Sequence, residues 1–468
     1  MIFSGLPFLL GFLPLFLAGT ALVGWLREQW LKPWLLLLSL LFYAIGAPGC
    51  LPFLLLSVAC NYLLLWAVHR LPHPRRWAVL GVLGNLVSLG WFKLAAAGAV
   101  PLGFSFFTFT QIGCLLHQQD DPSPPPKPLD YALLAAFFPA LLAGPVLNGP
   151  EMLPQFARHR GWRLTNGAVM VGLGFFLLGL LKKTVLADPL APMVAARFDA
   201  AAELTLLPAW QAAAFYSLQL YFDFSGYTDM AIGLAWMVGL RYPDNFAQPY
   251  RARCVIDYWQ RWHMSLTRFL VATVHAPLTL SVLRWRRRRG LAVDQAGQRT
   301  LSGFAMMIAA PILLTMLLVS LWHGDHATFL LFGLLHASFL SLNHVWRVFR
   351  GPALPDLLSL ALTYLCVLIG GVMFRAATPA QAFAVLSAMS GLHGTGSMPT
   401  DFHALAEFAW LLGLYAIIWL APTVRQVMLA ETRFAWRDTP AWAVAMGGAA
   451  TLGVLAAGGT GEFLYARF

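Results

Sequence analysis

Long apolar stretches recur along almost the whole chain. The clearest cover residues 7–25, 51–68, 77–98, 131–147, 168–187, 208–222, 302–322, 326–346, 357–374, 405–422 and 440–458. A helix needs about 20 apolar residues to cross a bilayer, whereas the strands of a membrane barrel would be about 10 residues long and alternate in polarity. The pattern therefore predicts an all-α protein with roughly eleven spanning helices. Shorter apolar pieces at 34–46, 104–116 and 264–283 are predicted to be re-entrant.

Composition supports a membrane location. Of 468 residues, 59% are hydrophobic and 11% are charged, and a soluble domain could not bury so much apolar surface. Because Arg27 and Lys32 follow the first apolar stretch, we expect that stretch to be a retained span instead of a signal peptide. No internal repeat is visible, so we predict one membrane domain over residues 1–468, with its motif-bearing core at about 100–350.

The net charge is +11, and the basic residues gather in short stretches. These are Arg70, Arg75 and Arg76; Arg158, Arg160 and Arg163; Lys182 and Lys183; Arg284, Arg286, Arg287, Arg288 and Arg289; and Arg347 and Arg350. Basic residues in short connections mark the cytoplasmic side of a membrane protein and contact anionic lipids. We therefore expect membrane lipids as partners and no nucleic acid. A polyphosphate-bearing donor such as coenzyme A at one cluster is an alternative.

Two histidines stand beside long apolar stretches, each directly after a tryptophan. His263 follows Trp262, and His323 follows Trp322. Because an ionisable side chain among spanning segments is energetically costly, such residues are functional candidates by default. Both histidines are candidate catalytic residues.

The segment between the apolar stretches at 208–222 and 264–283 is polar and aromatic at once. It carries Asp223, Ser225, Tyr227, Asp229 and Asn245. Carboxylates flanked by apolar helices need cationic partners, and Arg241, Arg251 and Arg261 are the predicted ones. A metal pair is the alternative for the two aspartates, but no cluster with metal-ligand spacing accompanies them, and we predict no metal and no bound cofactor.

Taken together, these motifs resemble the membrane-bound O-acyltransferase family, and within it the branch of the bacterial alginate O-acetyltransferases and the D-alanine transfer protein of teichoic-acid modification. The resemblance rests on residues 101–109, 137–139, 143–145, 222–233, 245–246, 249–250, 259–266 and 322–324. The sequence departs from the pattern at 267–277, where the family usually continues with a segment of the type Arg-Asp-Tyr-Leu-Tyr-Ile-Pro-Leu-Gly-Gly.

The resemblance implies a helical fold that encloses a central funnel in a bacterial inner membrane. It also implies transfer of an acyl group, expected to be acetyl, from a cytoplasmic thioester such as acetyl-CoA to a hydroxyl of an exported polysaccharide or of a periplasmic partner protein. It points to His323 as the catalytic histidine and His263 as the second site position. The candidate substrate-binding residues are Asp223, Ser225, Tyr227, Asp229, Asn245, Trp259, Arg261, Trp262, Ser265 and Trp322.

The residues themselves are compatible with this chemistry. An imidazole titrates near neutral pH and can remove the proton of an attacking hydroxyl. His263 could meet the charge that develops on the carbonyl oxygen or orient the substrate. A covalent acyl-histidine is an alternative mechanism, and an interfacial role in an aromatic belt is an alternative for His263. A transporter or flippase and a non-catalytic envelope scaffold are the alternative functions.

Overall fold

The structure is a computed structural model that describes residues 2–95, 100–121, 123–157, 164–396, 402–432, 435–457 and 464. Within these ranges the regular secondary structure is entirely helical, which confirms the all-α prediction. The predicted basic cluster of Arg158, Arg160 and Arg163 lies outside the described residues.

Eight helices of the described chain are long and apolar enough to cross a membrane. They are Phe8–Leu26, Glu28–Gly46, Pro48–Arg70, Asn166–Asp199, Met264–Arg288, Leu301–His323, Ala327–Val348 and Asp356–Arg375. Three shorter apolar helices, Pro379–Met389, Leu405–Leu420 and Pro440–Ala456, accompany them. The polytopic membrane architecture is thus confirmed.

The lengths of several segments differ from the prediction. Two pieces expected to be re-entrant, 34–46 and 264–283, belong to full-length helices. Pro33 lies in the first turn of Leu31–Gly46, where no hydrogen-bond donor is needed. Pro277 lies inside the span Met264–Arg288, just after the π-helical segment Val271–His275. The stretch at 131–147 is instead broken at Phe137, whose extended backbone separates Pro128–Ala136 from Phe138–Leu141.

The helices form two compact units. One comprises Met1–Asp188, Tyr221–Asn245 and Pro422–Phe468, and the other comprises Pro189–Leu220 and Phe246–Ala421. The helix Leu206–Met237 contributes to both. We call them the first and the second unit.

The first unit contains most of the N-terminal helices. Its α-helices are Leu13–Leu26, Leu31–Gly46, Leu51–Arg70, Pro74–Gly90, Phe104–Asp120, Pro128–Ala136, Phe138–Leu141, Gly149–Ala157, Asn166–Leu181, Val424–Met428 and Pro440–Ala456. Three of these helices are extended by π-helical segments, which are Phe8–Phe12, Trp91–Ala95 and Lys182–Ala187. Five phenylalanines, Phe3, Phe8, Phe12, Phe42 and Phe138, form a buried aromatic cluster with ring centroids 5.0–6.3 Å apart.

Glycines allow two helices of the first unit to approach closely. A Cβ atom on Gly179 would lie 2.6 Å from the Gly226 carbonyl oxygen, and one on Gly172 would lie 2.6 Å from the Gly233 carbonyl oxygen. Such small-residue contacts are a common way for membrane helices to associate. They fix residues 172–183 against residues 223–233.

The second unit contains both candidate histidines. Its α-helices are Leu190–Asp199, Val255–Arg261, Met264–Leu270, Ala276–Arg288, Gln295–Gln298, Leu301–Phe304, Ala310–His323, Ala327–Val348, Asp356–Arg375, Pro379–Met389 and Phe402–Leu420. The π-helical segments Val271–His275 and Ala305–Ala309 join neighbouring helices into longer spans.

Two of these spans make a helical hairpin. Met264–Arg288 and Leu301–His323 pack along one another and are joined by residues 289–300. We call this element the histidine hairpin, because His263 directly precedes its first helix and His323 ends its second. Both histidines therefore belong to one end of the hairpin, while the arginine-rich segment 284–299, which we call the arginine loop, forms the other.

The arginine loop has a defined internal structure. Arg286 is buried and donates hydrogen bonds from Nε and Nη2 to the Ala292 carbonyl, both at 3.1 Å. Asp294 accepts from the Gly297 amide at 2.9 Å and caps a short helix. Arg299 donates to the Val348 carbonyl at 3.1 Å, which ties the loop to the end of Ala327–Val348.

Candidate active site

The chain turns sharply at His263, between the short helix Val255–Arg261 and the first helix of the histidine hairpin. The residue has a left-handed φ of 44°, which is uncommon for a residue with a side chain and persists only where the surroundings impose it. The Thr267 amide donates to the His263 carbonyl at 3.0 Å. The side chain is 2% exposed, and burial lowers the pKa of its imidazole to about 3, so that the ring is neutral at pH 7.

His323 is the last residue of the histidine hairpin, in an aromatic environment. Its ring centroid lies 4.4 Å from that of Trp322, 4.7 Å from that of Phe374 and 5.9 Å from that of Phe329. The helix stops here because Gly324 adopts a φ of 154°, a conformation available essentially to glycine alone. The imidazole is thus held, buried, where the chain leaves its helix.

Trp322 connects the two histidines. Its ring centroid is 6.4 Å from that of His263 and 4.4 Å from that of His323, and the indole is buried. Ser265, also buried, lies two residues after His263. The structure thus brings His263, Ser265, Trp322 and His323 to one end of the hairpin.

The helix before His263 is held by the other residues of the motif. Arg261 pairs through Nε with Asp257 at 2.7 Å and donates to the Ala247 carbonyl at 3.3 Å. Trp259 donates from its indole nitrogen to Nδ1 of His336 at 3.3 Å. These contacts hold the helix that leads into the His263 turn, and so position the turn.

Trp262 packs into an aromatic stack. Its ring lies 5.8 Å from that of Tyr258, 6.4 Å from that of Tyr250 and 5.0 Å, edge to face, from that of Phe246. The residue next to His263 is thereby immobilised by three aromatic neighbours.

A chain of hydroxyl groups beside this stack was not predicted from the sequence. Ser217 donates to the Tyr250 hydroxyl at 2.9 Å and lies 3.2 Å from the Tyr364 hydroxyl, which in turn lies 2.8 Å from the Tyr415 hydroxyl. Tyr250 belongs to the Pro249-Tyr250 motif and could be recognised in the sequence. The other three residues come from separate helices and belong to no motif that marks them as site residues.

Asp223 and Asp229 lie in the first unit, and their predicted partners were wrong. Asp223 pairs with Lys183 at 2.6 Å, and Asp229 pairs with Lys182 at 2.6 Å. The two lysines are in a helix and not in a connection. The close glycine packing of the two helices brings them to the carboxylates.

The arginines predicted for that role interact elsewhere. Arg241 stacks on Trp236 at 3.5 Å from the ring centroid, Arg251 donates to the Ala421 carbonyl at 3.0 Å, and Arg261 pairs with Asp257. Arg241 and Arg261 thus find their partners within their own segments, whereas Arg251 binds a carbonyl that is remote in sequence.

The remaining predicted site residues also belong to the first unit. Tyr227 stacks on Phe3 with centroids 4.7 Å apart, Asn245 donates to the Thr228 hydroxyl at 3.4 Å, and Ser225 is buried. Within the described ranges, no group of three or more His, Cys, Asp or Glu side chains could hold a metal ion.

Comparison with known proteins shows which family the chain belongs to. The sequence model of the membrane-bound O-acyltransferase family matches residues 53–293, a range that contains His263. A peptidoglycan O-acetyltransferase from Helicobacter pylori is 31% identical over 92% of this chain and 88% of its own length. The chain belongs to the membrane-bound O-acyltransferase family.

Other relatives lie in the branches that the motifs indicated. A probable alginate O-acetylase, AlgI, from Pseudomonas aeruginosa is 34% identical over 83% of this chain and 75% of its own. A teichoic acid D-alanyltransferase from Bacillus subtilis is 26% identical over 50% of this chain and 57% of its own. This member of the family is therefore a membrane-bound O-acyltransferase, in place of the transporter or scaffold that the residues by themselves had left open.

Proposed function

We propose that this O-acyltransferase moves an acetyl group from a cytoplasmic acyl thioester to a hydroxyl of an exported polysaccharide or peptidoglycan, with His323 as the general base. The observation that carries the proposal is the pairing of His263 and His323, through Trp322, at the end of the hairpin opposite the arginine loop. The names of the relatives, which act on peptidoglycan and alginate, support the acceptor class.

The positive charge of the arginine loop favours the cytoplasmic side for that end of the hairpin. A helix of about 20 residues spans about 30 Å, so the histidines are then far from the cytoplasmic surface. A donor from one side and an acceptor from the other could meet there.

In the proposed reaction, His323 accepts the proton of the acceptor hydroxyl as its oxygen attacks the thioester carbonyl carbon. The carbon–sulfur bond breaks, and the thiolate leaves with the proton that His323 returns. A general base of this kind contributes roughly 10²–10⁴-fold to the rate. The neutral His263 can donate one N–H to the carbonyl oxygen, where negative charge develops.

The test is a matched pair of variants, His323→Ala and His326→Ala. His326 is three residues away and its side chain is 62% exposed, so its loss controls for removing a histidine from the same turn. Purified protein in lipid nanodiscs would be given radiolabelled acetyl-CoA and an oligosaccharide with free hydroxyls. We expect His323→Ala to lose transfer by at least about 10²-fold, with the elution profile of folded protein, while His326→Ala retains it.

Two results would contradict the proposal. If His323→Ala retains full transfer, His323 is not the general base. If the wild-type protein transfers acetyl only to a second added protein, the acceptor is that protein and not a polysaccharide. Label that stays on the protein in the absence of acceptor, and is lost in His323→Ala, would instead support a covalent acyl-histidine.

A further inference from the structure

A cavity of about 250 Å³ lies between the histidine hairpin and two neighbouring helices of the second unit. At one end it is lined by Leu266 and Val319, each within about one helical turn of a candidate histidine. At the other it is lined by His275 and His344. From Leu266 to His275 a helix advances about 14 Å, so the cavity is elongated along the hairpin.

The walls are predominantly apolar, and one side faces the bilayer. The span Met264–Arg288 forms that side, and only 6% of its most apolar part is buried inside the protein. Val271 lines the cavity and is 47% exposed. It begins a π-helical segment, the kind of helix irregularity that often accompanies a functional site. The opening beside Val271 therefore meets hydrocarbon and not water.

An empty apolar cavity of this size would be costly, because unfilled volume forfeits packing contacts. Water is a poor occupant, since it needs several polar partners. The ligand chemistry that fits an elongated apolar cavity opening onto a bilayer is a hydrocarbon chain.

The charges at the far end select the headgroup. Beyond His275 and His344 lies the arginine loop, which contains one carboxylate, Asp294, and six arginines, Arg284, Arg286, Arg287, Arg288, Arg289 and Arg299. Arg299 fastens this loop to the end of the helix that carries His344. A phosphate at this end would be met by positive charge.

We propose that the cavity binds one acyl chain of an anionic membrane phospholipid, with its phosphate toward the arginine loop. The site goes beyond the proposed acyl transfer, because the lipid is neither donor nor acceptor. The bound chain packs on Trp259 and Leu266, which flank the His263 turn, and so supports its backbone.

The experiment compares Thr315→Trp with Leu314→Trp. Thr315 lines the cavity, whereas its neighbour Leu314 is 48% exposed and does not line it. Each protein would be purified in detergent, its retained lipid measured by mass spectrometry, and its thermal midpoint recorded after adding dioleoyl phosphatidylglycerol, dioleoyl phosphatidylcholine or acetyl-CoA. We expect the wild type and Leu314→Trp to retain phosphatidylglycerol and to be stabilised by it, and Thr315→Trp to retain about tenfold less.

Two further variants keep the outcome decisive. Val271→Trp obstructs the opening at an exposed position and should lose the lipid even if Thr315→Trp fails to fold. A variant with Arg284, Arg287, Arg288 and Arg289 replaced by Gln should keep the chain but lose the preference for phosphatidylglycerol over phosphatidylcholine.

The proposal is overturned if folded Thr315→Trp and Val271→Trp retain lipid as the wild type does. It is also overturned if acetyl-CoA alone stabilises the wild type and this effect disappears in Val271→Trp, since the cavity would then hold the donor. Lipid retention is measured without any transfer assay, so its failure is distinct from failure of the proposed reaction.

Discussion

Replacing Lys183 by Met should destabilise the protein far more than replacing Asp223 by Asn. Lys183 lies 2.6 Å from Asp223 and 2.5 Å from Asp188, and the side chains of Lys183 and Asp223 are 3% and 2% exposed. Removing the lysine leaves a buried carboxylate without its cation, which costs about 3–5 kcal/mol. Removing the Asp223 charge leaves Lys183 paired with Asp188, so we expect a loss of about 1–3 kcal/mol.

The assay is reversible unfolding of purified protein by denaturant in mixed micelles. The exposed pair Arg253–Asp356, with side chains 64% and 70% exposed, provides the control: Arg253→Met should change the free energy of unfolding by less than about 1 kcal/mol. The double variant Lys183→Met, Asp223→Leu should recover part of the stability. Asp223, the more deeply buried of the two carboxylates, is then no longer left without its cation, and only the charge of Asp188 remains unpaired by Lys183. Equal losses for Lys183→Met and Asp223→Asn, or no recovery in the double variant, would refute the reasoning.

Three other changes have defined outcomes. Between pH 7 and pH 5, His263 by itself should lower the free energy of unfolding by about 2 kcal/mol, because it is protonated in the unfolded chain whereas its native pKa is about 3. The change in free energy of unfolding between the two pH values, measured by denaturant titration, should be smaller by that amount in His263→Gln than in the wild type. Gly324→Ala should lower the free energy of unfolding by about 1–3 kcal/mol and reduce transfer, because the φ of Gly324 is 154° and a Cβ there would lie 3.0 Å from the Phe329 ring. An unchanged thermal midpoint and unchanged activity would contradict this. Gly226→Val should lower the thermal midpoint more than Gly84→Val, because a Cβ on Gly226 would lie 2.7 Å from the Gly179 carbonyl oxygen, whereas one on Gly84 would meet nothing within 4 Å.

Much of the site could be predicted because its residues are close in sequence or end a recognisable span. The two Trp-His pairs could be recognised because each places an ionisable side chain beside an apolar helix. The motifs indicated the family that the comparisons confirm. The hydroxyl chain through Ser217, Tyr364 and Tyr415 could not be found in this way. Serine and tyrosine within apolar helices carry no local signal, and only helix packing decides which of them meet.

The sequence by itself determined that the chain is helical and membrane-spanning, and which family it belongs to, because continuous apolar length and local motifs are properties of the chain. Only the tertiary structure decided that Lys182 and Lys183, not the arginines, neutralise the two aspartates. Ion-pair partners are chosen by distance in space, and that distance depends here on two glycine contacts between helices remote in sequence. The same holds for the two histidines, which meet through Trp322 because the helices on either side of the arginine loop fold back on each other.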